Sequence, residues 1–287
     1  MAVRIVDESQ VHALLDMRAC IELMDATLRT VARGGAVLPL RTILRLPDGC
    51  GVLASMPSHL NPPDAIGLKA ITVFPGNQGS AFDSHQGVVL LFEAVHGSLV
   101  AILDASSITA IRTAAVSGVA TRALANANAG DLAILGSGVQ AASHLDAMAA
   151  VRSLRRVRVF SRDPRNAARF AAAAREVDSD TIAAARLYAD RRESLFAEAG
   201  DFLIPRSEGR VTDAHLIGEL GEVLEGTAPA RERPEDLTAF KSLGLAVEDL
   251  AAPQYVATLA AERAIGIVLE IGGKRDLALE PQRASRG

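Results

Sequence analysis

The sequence predicts an α/β protein in two parts: an α+β half built from hairpins, then a shorter half built on a parallel sheet. Three observations carry this. Residues 40–104 alternate apolar and polar at the period of strands and are broken by turn signals. From Asp131 onward the pattern becomes strand, glycine-rich turn, helix, strand, which requires parallel pairing. And 49% of the 287 residues are hydrophobic, enough for one or two packed domains.

Composition excludes several classes of function. The net charge is −4 with 30 basic residues, and no basic run marks a nucleic-acid surface. No apolar stretch reaches the roughly 20 residues of a membrane helix. The first residues lack the basic-then-apolar pattern of a secretory signal, and Cys20 and Cys50 stand alone. A cytoplasmic protein is therefore expected.

The elements follow in order. Ile21, Met24, Leu28 and Val31 recur at helical spacing before Gly34-Gly35, a stop signal. Leu40 to Leu46 reads as a strand, turned by Pro47-Asp48-Gly49 into a return strand at Val52 to Met56. Leu68 to Phe74 is a further strand. Gly87 to Glu93 and Ser98 to Asp104 form a hairpin around His96-Gly97, and a helix runs from Ser107 to Leu124. Then come a strand at Asp131 to Leu135, a helix from Gln140 to Ala150, a strand at Val157 to Phe160 and a helix from Pro164 to Arg175. Leu187 to Asp190 and Phe202 to Pro205 are weaker strands, and a last helix spans Val247 to Ala264. The expected division is residues 1–114, a substrate and dimerisation domain; residues 115–265, a dinucleotide domain; and residues 266–287, a segment returning to the first.

The strongest motif is Gly136-Ser137-Gly138-Val139-Gln140-Ala141, of the form G-x-G-x-x-A. It gains meaning from the strand before it and the helix after it. The first glycine permits the tight turn. The second lets backbone approach a pyrophosphate, and the alanine lets helix and strand pack closely. Free N–H groups at the helix start then face the phosphates. The second half is thus expected to be Rossmann-type and to bind NAD or NADP. Ser161 and Arg162 stand where an NAD protein would carry an acid on the ribose, which leans toward NADP; an ordinary surface arginine is the other reading of Arg162.

Three cations interrupt apolar surroundings in the first half. Lys69 lies inside Ile66 to Phe74; it is either a buried, paired lysine or an edge-strand lysine facing solvent. Arg112 sits on a helix of small and apolar residues, where a structural ion pair is the alternative to a ligand site. Arg41, with Arg45 nearby, belongs to a strand; an arginine fork suits a carboxylate. The histidines show no metal-ligand spacing, and no metal is expected.

Taken together these segments resemble the ornithine cyclodeaminase/μ-crystallin family. The resemblance rests on Gly67-Leu-Lys-Ala-Ile-Thr-Val-Phe-Pro-Gly-Asn77, His85 to Phe92, Ile108 to Val116, Leu135 to Ala141 and Phe240 to Asp249, in that order. It implies a homodimer, a small amino or imino acid as partner, and hydride transfer of the ketimine reductase or alanine dehydrogenase type. Ornithine cyclodeamination and dinucleotide or ligand binding without turnover are the alternatives it leaves. It assigns Arg41, Lys69 and Arg112 to the substrate, Lys69 as the catalytic group. It assigns Thr113, Ser242 and Gly244 to the cofactor, beside Gly136, Ser137, Gly138, Val139, Gln140, Ser161 and Arg162.

The resemblance breaks between Arg175 and Leu187. About fifty residues of the family pattern have no counterpart there, and only two firm parallel strands precede Leu187, against six in a full dinucleotide fold. The missing block carries the carboxylate that cyclodeaminases use as acid and base, so reduction ranks above cyclodeamination. A shortened Rossmann-type sheet is expected.

Overall fold

A computed structural model describes residues 2–77, 79–160 and 184–272. The chain opens with β1 (Ala2–Val6), α1 (Glu8–Leu14) and α2 (Met17–Ala32). Asp7 and Asp16 start the two helices by accepting from Gln10 N and Ala19 N, each satisfying a backbone donor that the first turn leaves open. Cys20, Ile21, Met24 and Leu28 of α2 are buried, the apolar stripe visible in the sequence.

Next come β2 (Ala36–Val37), β3 (Thr42–Arg45), β4 (Val52–Leu60), β5 (Ala65–Val73), β6 (His85–Phe92) and β7 (Leu99–Asp104). With β1 and the last strand, β13 (Ile267–Glu270), they make one large sheet in the order β13-β1-β7-β6-β5-β4-β2, with β3 pairing β4. The β3-β4-β5-β6-β7 run is antiparallel, as its turn signals predict. The exception is β1, which pairs β7 in parallel and β13 antiparallel.

The inner face of this sheet lies on α3 (Ala105–Leu124) and α8 (Glu248–Glu262). One inner row runs Met56, Lys69, Val89, Leu103 across four neighbouring strands. The matching outer row is Pro57, Leu68, Leu90, Ile102, Ile5 and Ile267. The expected boundary at residue 114 falls inside the unbroken helix α3, and α8, expected in the second part, packs on the first-half sheet.

The second half contains β8 (Asp131–Leu135), α4 (Val139–Val151) and β9 (Arg156–Phe160), then β10 (Arg186–Ala189), α5 (Arg192–Glu198), α6 (Gly200–Ser207), β11 (Leu216–Glu219), α7 (Leu220–Leu224) and β12 (Thr238–Lys241). All of its strand pairs are parallel. Among the described residues they form two separate sheets, β8-β9 and β11-β10-β12.

One expectation is corrected. Phe202 to Pro205 is helical, not a strand, because Phe202 and Leu203 donate to Ala199 O and close the first turn of α6. Phe202 and Pro205, three apart, then share its buried side, a spacing that a four-residue apolar run conceals. The expected helix at Pro164 to Arg175 lies outside the described residues, as do Ser161 and Arg162.

Candidate active site

Lys69 is not on an edge. Its strand, β5, is flanked by β4 and β6, and the side chain points inward with 3% of its surface exposed. A cation there needs a partner. Asp249, in the first turn of α8, supplies it: Lys69 Nζ donates to Asp249 Oδ2 at 2.9 Å. Arg112, on α3, donates to the same carboxylate from Nε at 2.8 Å and from NH2 at 3.1 Å. Its NH1 donates to Glu248 Oε2 at 2.6 Å, an oxygen that also accepts from Leu245 N at 3.2 Å. Strand, helix and helix thus meet in one buried cluster of Lys69, Arg112, Glu248 and Asp249.

Burial pushes the Glu248 carboxyl up to about 8, against the pull of Arg112 and with repulsion from Asp190 and Asp249. Glu248 is therefore largely protonated near neutral pH, and Lys69 and Arg112 share the carboxylate of Asp249, with Asp190 close by. Burial also lowers the Lys69 ammonium below the ordinary lysine value, despite Asp249. A lysine in that condition can hand over and recover a proton.

Gly244 lies against Arg112. Its φ of +81° suits glycine, and a Cβ there would stand 2.9 Å from Arg112 NH1 and 3.1 Å from NH2. The bare α-carbon is what lets this turn lie against the buried guanidinium. Arg41 approaches the same turn, donating from NH2 to Leu243 O at 2.8 Å, while its Nε pairs with Glu198 at 3.1 Å. A cleft lined by Arg41, Met56, Glu198, Gly244 and Leu245 lies between them. Its volume is about 20 Å³, room for about one water.

The dinucleotide turn stands apart from this cluster, across α3. Gly136 has φ +116° and closes the β8–β9 end by donating to Phe160 O at 2.7 Å. Gly138 caps α4 with no side-chain hydrogen bond, and a Cβ at either glycine would meet nothing within 4 Å. Open space before uncapped helix N–H groups fits a dinucleotide pyrophosphate. Val139 and Gln140 are exposed in that first turn. Gln140 O approaches His144 Nδ1 at 2.6 Å, and His144 Nε2 approaches Ser117 Oγ on α3 at 3.0 Å. Thr113, half-buried, follows Arg112 on that helix. Near the cluster, Ser242 Oγ is buried without a hydrogen-bond partner, as is Glu248 Oε1.

The structure therefore gathers Arg41, Lys69, Arg112 and Gly244 at one place and leaves Gly136–Gln140 at another. The sequence reading did not single out Asp190, Glu198, Glu248 or Asp249 as site residues. The signal was present in Leu-Tyr-Ala-Asp190 and Leu-Ala-Val-Glu248-Asp249, carboxylates in apolar runs that buried cations require. Among the described residues, no group of three or more metal-binding side chains is assembled, and no helix is long and apolar enough to cross a membrane.

The sequence profile of the ornithine cyclodeaminase/mu-crystallin family matches residues 2–186 and 173–263. The chain belongs to this family. The two matched stretches overlap at residues 173–186, where the sequence is expected to be short. The ketimine reductase mu-crystallin of Rattus norvegicus is 33% identical over 305 aligned positions, spanning 87% of this chain and 94% of the relative. Those positions hold about 250 of the 287 residues here, leaving about 55 with no counterpart in this chain. A Δ1-pyrroline-2-carboxylate reductase of Bacillus cereus (strain ATCC 10987) is 27% identical, over 93% of this chain and 99% of the relative. Among solved structures, the Thermococcus litoralis Δ1-pyrroline-2-carboxylate reductase, in complex with NADH and L-proline, superposes with a TM-score of 0.89 at 28% identity. That match covers 92% of this chain and 99% of the other.

Proposed function

We propose that this chain reduces a cyclic imino acid of the pyrroline-2-carboxylate or ketimine type with NADPH or NADH. The observation that carries the reading is the buried Lys69–Arg112–Asp249 cluster beside the Arg41 cleft, in a chain similar to reductases of such substrates. Arg112 and Arg41 bind the substrate carboxylate, Arg41 exchanging Glu198 for it. Lys69 Nζ delivers a proton to the imine nitrogen and regains one from solvent. When bound, the reduced nicotinamide supplies the hydride that the α-carbon receives. The backbone of Gly136, Ser137, Gly138, Val139 and Gln140 holds the pyrophosphate, with Thr113, Ser242 and Gly244 toward the nicotinamide. Arg162 makes NADP the preferred form, by about tenfold, or ~1.4 kcal/mol. The test is loss of reduced-nicotinamide absorbance on adding pyrroline-2-carboxylate or a six-membered ketimine homologue. Steady consumption with either supports the reading, and none with any cyclic imino acid rejects it.

One observation favours a second reading, binding without turnover: among the described residues the second half forms two small separate parallel sheets. That reading expects dinucleotide binding in calorimetry and no imine reduction. Ornithine cyclodeamination ranks below both, because the acid/base carboxylate belongs to the missing block.

The proposed macromolecular partner is a second copy of the chain. The outer row of the large sheet is apolar across six strands, from Pro57 to Ile267, and Leu53, Ile66, Val88 and Val100 on the same face are exposed. A face of this size is usually covered.

A further inference from the structure

We infer that Asp190 is a positioning residue that sets both carboxylate-binding arginines through one short turn. Asp190 closes the C-terminal end of β10 and is 1% exposed. Its Oδ2 accepts from Leu243 N at 2.6 Å and Gly244 N at 2.7 Å, and its Oδ1 from Arg191 N at 2.8 Å. A buried carboxylate with every donor supplied by backbone is not available to substrate; it fixes the backbone that it holds.

The held segment matters because both arginines rest on it. The carbonyls of Leu243 and Gly244 accept from Arg41 NH2, at 2.8 and 3.4 Å. The α-carbon of Gly244 lies against the Arg112 guanidinium, where even a methyl group would stand 2.9 Å from NH1. A shift of the turn by a few tenths of an ångström therefore moves the Arg41 anchor and the backbone packed on Arg112 together. The residue after Asp190 grips the other wall: Arg191 NH1 donates to Leu38 O at 2.6 Å, three residues before Arg41. The end of β10, in the dinucleotide half, thus sets the width of the substrate cleft.

This rests on the proposed role of Arg41 and Arg112, and the experiment separates the two. Binding of pyrrole-2-carboxylate, a stable planar analogue of the cyclic imino acid, is measured by calorimetry in the parent, Arg41→Ala, Asp190→Asn and Gly244→Ala. Binding of adenosine 2′,5′-bisphosphate, the cofactor end without the nicotinamide, is measured alongside in the parent and Asp190→Asn. Asp190→Asn is expected to weaken the carboxylate by at least about tenfold while affinity for the bisphosphate, bound at the distant Gly136–Gln140 turn, stays within about twofold. Gly244→Ala, which keeps Asp190 but crowds Arg112, is expected to weaken the carboxylate similarly; if Asp190→Asn does not fold, Asp190→Glu, which keeps the charge but displaces it from the turn, is measured in its place, with the same loss expected. Loss in Arg41→Ala with none in Asp190→Asn overturns the positioning role. So does equal weakening of both ligands, which marks a general structural defect. No loss in Arg41→Ala overturns the substrate reading itself, and this inference with it.

Discussion

Lys69 and Arg112 were legible in the sequence as charges in apolar company, but their partners were not. Asp249 lies 180 residues from Lys69 and 137 from Arg112, and nothing local pairs groups so far apart. The ion pairs also change what a substitution should do. Lys69→Ala leaves Asp249 with Arg112 alone, so it is expected to cost about 2–3 kcal/mol in urea unfolding, below the full penalty for orphaning a buried charge. It should also reduce kcat by a hundredfold or more, the order expected for losing a general acid; a kcat near the parent value would remove Lys69 from the chemistry. Glu248 gives a pH signature. Its folded value of about 8 lies above that of the unfolded chain, so the native state binds the extra proton between roughly pH 4.5 and 8. Its contribution is present at the acid end of that window and is lost as pH rises, at up to about 1.4 kcal/mol per pH unit. Thermal melts from pH 6 to 8 should therefore fall more steeply for the parent than for Glu248→Gln. Equal slopes would show that Glu248 is already ionised in the folded state.

Among the elements, the β8–turn–α4 unit was the most readable, because strand, glycines and helix are consecutive and each local preference agrees with the next. α6 was misread because four apolar residues do not fix a period. The order of strands in the large sheet, with β1 and β13 brought to one edge, depends on pairings between the two ends of the chain and could not be read locally. The phosphate turn offers a substitution in which folding and binding should separate. Gly138 is the N-cap of α4 and its missing side chain would touch nothing, so Gly138→Asp should fold at least as well as the parent, since aspartate is a favourable cap. Its carboxylate would repel a pyrophosphate, and dinucleotide affinity should drop by about tenfold or more. A melt and a calorimetric titration on one sample check both. Unchanged dinucleotide affinity would place the phosphates elsewhere.

At the scale of the whole molecule, the family membership and the internal shortening were both visible in the order of sequence blocks. The outer face of the large sheet was less legible, because alternation marks two faces without saying that both are apolar. If that face joins two copies, Leu90→Asp, in the middle of the apolar row, should convert a sedimenting dimer to monomer without lowering helix content. A parent that sediments as a monomer would refute the interface. The central claim is that a chain with this shortened half still moves a hydride onto a carboxylated cyclic imine. Its most direct test is mass spectrometry of the product formed from pyrroline-2-carboxylate and nicotinamide deuterated at its transferable position. Proline carrying one deuterium on the α-carbon is the predicted result; unlabelled proline, or none, would contradict the account.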